Sequence, residues 1–256
     1  MSKEKILSIN SKDKSEGTNS DFIVNFNDSS VQQIIKVLVR DCFVPNLFYN
    51  VDANNNVLYF KQNIEPIKSI TIPVGQYNVD TLATTLKTLL DAQLVFGTIA
   101  TITRDSITFK YTFTFSGSVT PANNDVIFFY ETSTIRDVIG LLNTTSPASN
   151  IIVMDTIFNL KGKEIVQIHS PEIGEMHGLD AGASGYISLV ETVSLTTTPF
   201  GSVAHRQNND DELAMILYEQ PKNLSRIRIV LRDESGVKLE LPSNAHMSVM
   251  LKIFFD

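Results

Sequence analysis

The sequence predicts a mainly β protein, a β-sandwich or jelly roll built from many short strands. Apolar and polar residues alternate with period two along much of the 256-residue chain. Turn-forming clusters rich in Asn, Asp, Gly, Ser and Pro separate these stretches, and only one segment carries a sustained helical period. Because strands do not alternate with helices, an α/β enzyme fold is disfavoured.

Taken in order, residues 1–20 are polar and rich in Lys and Ser, and are expected to be a flexible N-terminal arm ordered by assembly. Residues 21–256 are expected to form the folded domain. Phe22, Val24 and Phe26 alternate as a strand, and residues 31–44 are apolar on both parities, as in a central strand covered on both sides or bent by a bulge. Asp52-Ala53-Asn54-Asn55-Asn56 reads as a hairpin turn before strands at 57–61 and 67–72. Leu82, Leu86, Leu89 and Leu90 recur at i, i+4, i+7 and i+8, so an amphipathic helix follows Val74-Gly75-Gln76, with Asn78 or Asp80 as N-cap.

Strands are expected at 98–103 and at 106–115, where Ile107, Phe109, Tyr111, Phe113 and Phe115 interleave with Thr108, Lys110, Thr112 and Thr114. A strand at 126–130 and a helical turn at 134–142, with Ile135, Val138 and Ile139 on one face, come next. Residues 144–150 lack periodicity and contain Pro147, which makes them an internal boundary or a long surface loop, and an inserted loop region is expected around 144–211. Further strands are expected at 164–169, 186–196 and 213–218, then at Ile227-Ile229-Leu231 and at Met247-Val249-Leu251-Ile253-Phe255.

Charged residues make up 19% of the chain, below the roughly 25% of an average soluble domain. Twenty-eight acidic against 21 basic residues leave a net charge of −7, which argues against a nucleic-acid coat. Cys42 is the single cysteine, so neither an intramolecular disulfide nor a thiolate zinc cage is available; in an apolar strand it reads as a small buried hydrophobe. No signal-peptide-like stretch follows Met1, and no apolar run approaches the roughly 18 residues of a spanning helix. The expectation is synthesis in a cytoplasm without membrane insertion. The sequons at Asn27, Asn143 and Asn223 carry no weight without an export signal.

Motifs for catalysis or ligand binding are incomplete. Asp52-Ala53-Asn54-Asn55-Asn56 begins like a calcium loop, but Val57 stands where Gly is required and Asn63 where a bidentate Glu is required. Gly182-Ala183-Ser184-Gly185-Tyr186 departs from a nucleophile elbow at Tyr186 and lacks a strand-to-helix setting. His169, Glu172, Glu175 and His177 are a weak candidate metal set: the ligand types suit zinc, but Pro171 and Gly174 exclude a helix that would align them, and a solvated loop is preferred. No metal and no cofactor is therefore expected. Phe200, Gly201, His205 and Arg206, in a polar stretch running to Asp211, form a candidate partner-contact loop. No nucleophile, base and orienting group occur together, so a structural or binding role is expected over an enzyme.

The order of several motifs carries a resemblance. The chain opens with Leu7-Ser8-Ile9-Asn10-Ser11-Lys12-Asp13, passes to Ser20-Asp21-Phe22-Ile23-Val24-Asn25-Phe26, and reaches Val44-Pro45-Asn46-Leu47-Phe48-Tyr49-Asn50-Val51 through a long strand. Asn54-Asn55-Asn56-Val57-Leu58-Tyr59-Phe60 and Ile70-Thr71-Ile72-Pro73-Val74-Gly75-Gln76-Tyr77-Asn78-Val79 precede the Leu-rich helix. Ser133-Thr134-Ile135-Arg136-Asp137-Val138-Ile139-Gly140-Leu141 and residues 224–236 continue the series. This order resembles the minor capsid, or penton, proteins of virophages, polinton-like viruses and related large DNA viruses of eukaryotes. It is spread over nearly the whole chain, with residues 146–211 matching least.

The resemblance implies a jelly roll that assembles as a pentamer at the fivefold vertices of an icosahedral capsid. It also implies a major capsid protein of double jelly-roll type as neighbour and residence in the virion. Neutral Asn, Thr and Ser surfaces fit many copies approaching one another. The alternative is a virion-surface host-attachment or glycan-binding β-sandwich using Phe48, Tyr49, Tyr186 and Phe200, aromatics for which packing at the sandwich ends is preferred.

Overall fold

The computed structural model describes residues 3–26, 31–142, 145–173, 189–208 and 215–255. In chain order its strands are β1 (Lys3–Asn10), β2 (Glu16–Gly17), β3 (Asp21–Asn25), β4 (Ile34–Pro45), β5 (Val57–Gln62), β6 (Lys68–Thr71), β7 (Ile99–Arg104) and β8 (Tyr111–Ser116). There follow β9 (Val126–Phe128), β10 (Ile151–Val153), β11 (Ile165–His169), β12 (Leu189–Ser194), β13 (Val203–Gln207), β14 (Met215–Lys222), β15 (Arg226–Arg232) and β16 (Ser248–Phe255). Helix α1 spans Val79–Asp91 and α2 spans Arg136–Ile139. No helix among the described residues is long and apolar enough to cross a membrane.

The chain divides into two units, one formed by residues 1–48 with 163–256 and the other by residues 49–162. The larger unit has two antiparallel sheets, ordered β1-β16-β4-β13, with β14 also on β4, and β12-β11-β15-β3-β2. Leaving aside the two-residue β2 and counting β13 with β14 as one broken strand, its strands run first-eighth-third-sixth in one sheet and fifth-fourth-seventh-second in the other. That interleaving is a jelly roll. The two inner faces share a core that includes Ile9, Phe22, Val39, Cys42, Ile168, Ile227, Ile229, Leu251 and Ile253.

Strand β4 shows why its sequence is apolar on both parities. It lies between β16 on one side and β13 and β14 on the other, and its register against β16 slips at Met250/Leu251 and Phe254/Phe255. Each slip leaves one extra residue on β4, Arg40 and Ile35, and an extra residue inverts which parity faces the core. Val37 and Val39 therefore point inward on one side of Arg40, and Cys42 and Val44 on the other.

Residues 3–10, expected as part of a flexible arm, are instead the first jelly-roll strand. β1 pairs with β16 over eight residues, from Lys3↔Phe255 to Asn10↔Ser248. Ile9 is fully buried and Leu7 packs against the core, so a short apolar alternation inside a Lys- and Ser-rich context suffices to seat the strand.

The smaller unit has two three-stranded sheets, β10-β8-β7 and β6-β5-β9. Leu58, Phe60, Tyr111, Phe113, Phe115 and Phe128 fill its core together with Leu82, Leu86 and Leu90 of α1. The helix starts where the sequence places it. Asn78 accepts the Thr81 N–H at 2.9 Å, and the Thr81 hydroxyl oxygen accepts the Asn78 N–H at 2.9 Å, a reciprocal capping box. At the other end the Asp91 carboxylate accepts the Ala100 N–H at 2.7 Å, fastening the helix to the outer edge of β7. Helix α2 is shorter than the expected 134–142 because Gly140, at φ +84°, closes it with its N–H on Arg136 O at 2.9 Å.

The structure departs from four further expectations. The alternating run 106–115 is a strand only from Tyr111: the Asp105 carboxylate accepts the N–H groups of Ile107 (2.9 Å) and Thr108 (2.6 Å), folding 105–110 into the β7–β8 turn. Asp52-Ala53-Asn54-Asn55-Asn56 is an Asx-type turn leading into β5, with Asp52 accepting the Asn54 N–H at 2.7 Å, whereas the hairpin itself joins β5 to β6. Residues 145–150 do not separate units: Ser146 bonds Phe128 through backbone and hydroxyl, and Ser149 bridges Val126, so this polar stretch runs along β9. The inserted segment is residues 49–162, between the third and fourth jelly-roll strands, and not the region around 144–211.

Candidate functional site

The candidate site lies at the end of the larger unit where β4 stops and the chain leaves for residue 49. Pro45 ends β4, and the next residue, Asn46, ties down the connection between β12 and β13. Its side-chain N–H donates to Thr198 O at 2.6 Å, its backbone N–H donates to Ser202 O at 2.8 Å, and its carbonyl accepts the Gly201 N–H at 2.8 Å. Gly201 sits at φ +87°, the left-handed region that glycine enters at no steric cost. Phe200 is thereby presented at the tip, 40% exposed. Where the chain returns, Lys163 Nζ lies 2.9 Å from the buried Asp233 carboxylate in the turn after β15.

His205 and Arg206, expected in an exposed loop, belong to strand β13, which pairs with β4 from Val203↔Pro45 to Gln207↔Asp41. Burial of Ala204 against the core anchors that strand. Neighbouring residues of a strand face opposite sides, so the structure separates the two. His205 stacks on its cross-strand partner Phe43, with ring centroids 4.3 Å apart and planes 3° from parallel, and its Nε2 lies 2.9 Å from Asp41 Oδ1. Arg206 is on the opposite face, its Nε 3.9 Å from Glu191 Oε1 on β12. Glu191 also accepts from the Asn208 amide, which donates to Val39 O at 2.7 Å, so the Glu191 group links the edges of the two sheets.

Cys42, beside this edge, is buried in the core, and burial foremost pushes its thiol pKa far up, reinforced by Glu191 and Asp41.

Of the candidate metal set, His169 and Glu172 fall among the described residues. His169 is buried at the end of β11 with Nε2 3.1 Å from Gln167 Oε1. Glu172 accepts the Arg228 N–H at 3.0 Å and lies 3.8 Å from Arg226 Nε. Glu175 and His177, like Gly182-Ala183-Ser184-Gly185-Tyr186, lie outside the described residues. Of the aromatics considered for glycan binding, Phe48 is in the core of the larger unit, Tyr49 is 40% exposed on the smaller unit, and Tyr186 lies outside the described residues.

Two features were not read from the sequence. Ser11 Oγ lies 3.3 Å from His246 Nδ1, but Ser11 is fully buried and its Oγ also accepts the Met247 N–H at 3.2 Å, which makes it a fastening between strand ends. On the outer face of the second sheet, Arg228 grips Asp21 through two N–H groups at 2.8 Å, and Lys238 adds a third contact. Arg228, then Lys238, hold the Asp21 carboxyl at a pKa of about 2. Spacing could have raised neither pair, since the partners are 235 and 207 residues apart.

These features define a jelly roll with a second β unit inserted between its third and fourth strands, and with pinned loops at the end where the insertion leaves. No protein-family model and no curated protein sequence matches the chain. Among solved structures, the mavirus penton protein, crystallised with selenomethionine, is similar in fold with a TM-score of 0.51. The likeness covers 98% of this chain and 99% of that one at 12% sequence identity.

Proposed function

We propose that this chain is a viral structural protein, a minor capsid or penton subunit that oligomerises as a pentamer and closes the fivefold vertices of an icosahedral capsid. The observation that carries the reading is the end-to-end fold likeness to the mavirus penton protein, which takes in the inserted unit as well as the jelly roll. A lone β-sandwich core would be weak support, because sandwiches serve many functions.

The low charge of the chain and the exposed outer positions of β1 and β13 fit a subunit that meets copies of itself. Its neighbours in this reading are a double jelly-roll major capsid protein and further copies of the chain, its place is the virion, and its role is assembly without catalysis. Imaging of purified particles tests the proposal. Density fitting this two-unit chain around each fivefold axis is the expected result, and density there of a different fold or symmetry overturns it.

A further inference from the structure

The smaller unit carries two uncharged cross-strand rows beside an open edge, bordered at one end by Lys110 and Asp155. In the β10-β8-β7 sheet, Ile151, Thr114 and Thr101 form one cross-strand row, and Val153, Thr112 and Thr103 form the next. Their neighbours Ile152, Phe113 and Ala100 point into the core, so these rows form the outer face. Ile151 and Val153 are 52% and 57% exposed, and neither row holds a charged residue.

The edges of this sheet are treated differently. At β7 the outer edge is fastened to α1 through Asp91 and Ala100. At β10, Asn150 O accepts from Phe115 and the Met154 N–H donates to Tyr111 O, both bonds directed to β8. The peptide groups of Ile151 and Val153 therefore turn away from β8. Ser149 Oγ accepts the Ile151 N–H at 3.1 Å, while the Val153 N–H and C=O have no hydrogen-bond partner among the described residues. Lys, Pro or a covering segment commonly protects such an edge, and Ile151-Ile152-Val153 has neither Lys nor Pro.

We propose that the β10 edge and its Ile/Val/Thr face are the seat of a second copy of this chain, an inference that rests on the ring-forming reading above. Charge selects the occupant. Each copy carries −7, so copies repel wherever acidic surface meets acidic surface, and uncharged rows are where they can close on one another. An acidic or basic partner would find no counter-charge in either row. Size points the same way: two cross-strand rows over three strands make a small contact beside the about 800 Å² that each partner buries in a stable two-body complex. A contact that small does not hold an isolated dimer, but it serves in a closed ring, where each copy is held on two sides.

The test compares the full-length chain with the double variant Ile151→Lys/Val153→Lys by native mass and sedimentation across a concentration series. Both side chains are half exposed, so circular dichroism and melting temperature should stay unchanged. The wild-type chain is expected to assemble, and the variant to need at least tenfold higher concentration. In the wild-type assembly, the Val153 amide should exchange hydrogen at least tenfold more slowly than in the dissociated chain. If the variant assembles like wild type, or Val153 exchanges equally fast in both states, this contact is refuted while the ring reading stands. If wild type never assembles, the ring reading itself falls, and this contact with it.

Discussion

Replacing Ile9 by Ala separates a true first strand from a dispensable arm. Ile9 is fully buried in the core of the larger unit, opposite Val249 on β16, whereas Ile6, three residues earlier on the same strand, is 50% exposed. Truncating a fully buried Ile removes three carbons and leaves a cavity, at a cost of about 3 kcal/mol, while Ile6→Ala should cost less than about 0.5 kcal/mol. With a urea m-value of about 2 kcal/mol/M, the larger unit's unfolding midpoint should fall by about 1.5 M for Ile9→Ala and by a few tenths for Ile6→Ala. The assay is urea denaturation followed by circular dichroism, with the two units fitted as separate transitions. Equal, small shifts for both variants would refute the reasoning and restore the flexible arm.

Asp21→Asn should cost about 1 kcal/mol at neutral pH after allowance for solvent screening of its pair with Arg228. Because the folded pKa of about 2 lies below the ordinary carboxylate value, this stabilisation is present above pH ~4 and lost as pH falls through ~2, so wild type and variant should converge there in urea titrations. Cys42, buried with a raised thiol pKa, should react with an aromatic disulfide reagent at least a hundredfold faster after unfolding than before, measured by absorbance. Gly140→Ala should destabilise the smaller unit by about 2 kcal/mol or more in thermal melts. Its φ of +84° is unfavourable for Ala, and the added methyl would run into Thr156 O.

The jelly-roll core and helix α1 were legible because their signals are local. The alternation in β3, β15 and β16 names the inward residues directly, and Leu82, Leu86 and Leu90 are the buried face of α1. Alternation misled at Ile107 and Phe109, where the Asp105 carboxylate gathers the following amides and overrides the strand pattern. Strand β13 was hidden because only Ala204 is buried, so His205, Arg206 and Gln207 read as loop until β4 is beside them. The insertion points at residues 48 and 163 leave no compositional mark, since Asn46 and Lys163 fix them through partners more than 60 residues away. Of the candidate contact residues, Phe200 and Gly201 do share a pinned loop, whereas His205 and Arg206 face opposite sides of one strand.

Native mass spectrometry of the full-length chain bears most directly on the proposed role. A closed ring of five 28.5-kDa copies is the predicted species, with a mass near 143 kDa that persists on dilution further than a single small contact allows. A chain that remains monomeric at every concentration, or closes with a number of copies other than five, would contradict the account.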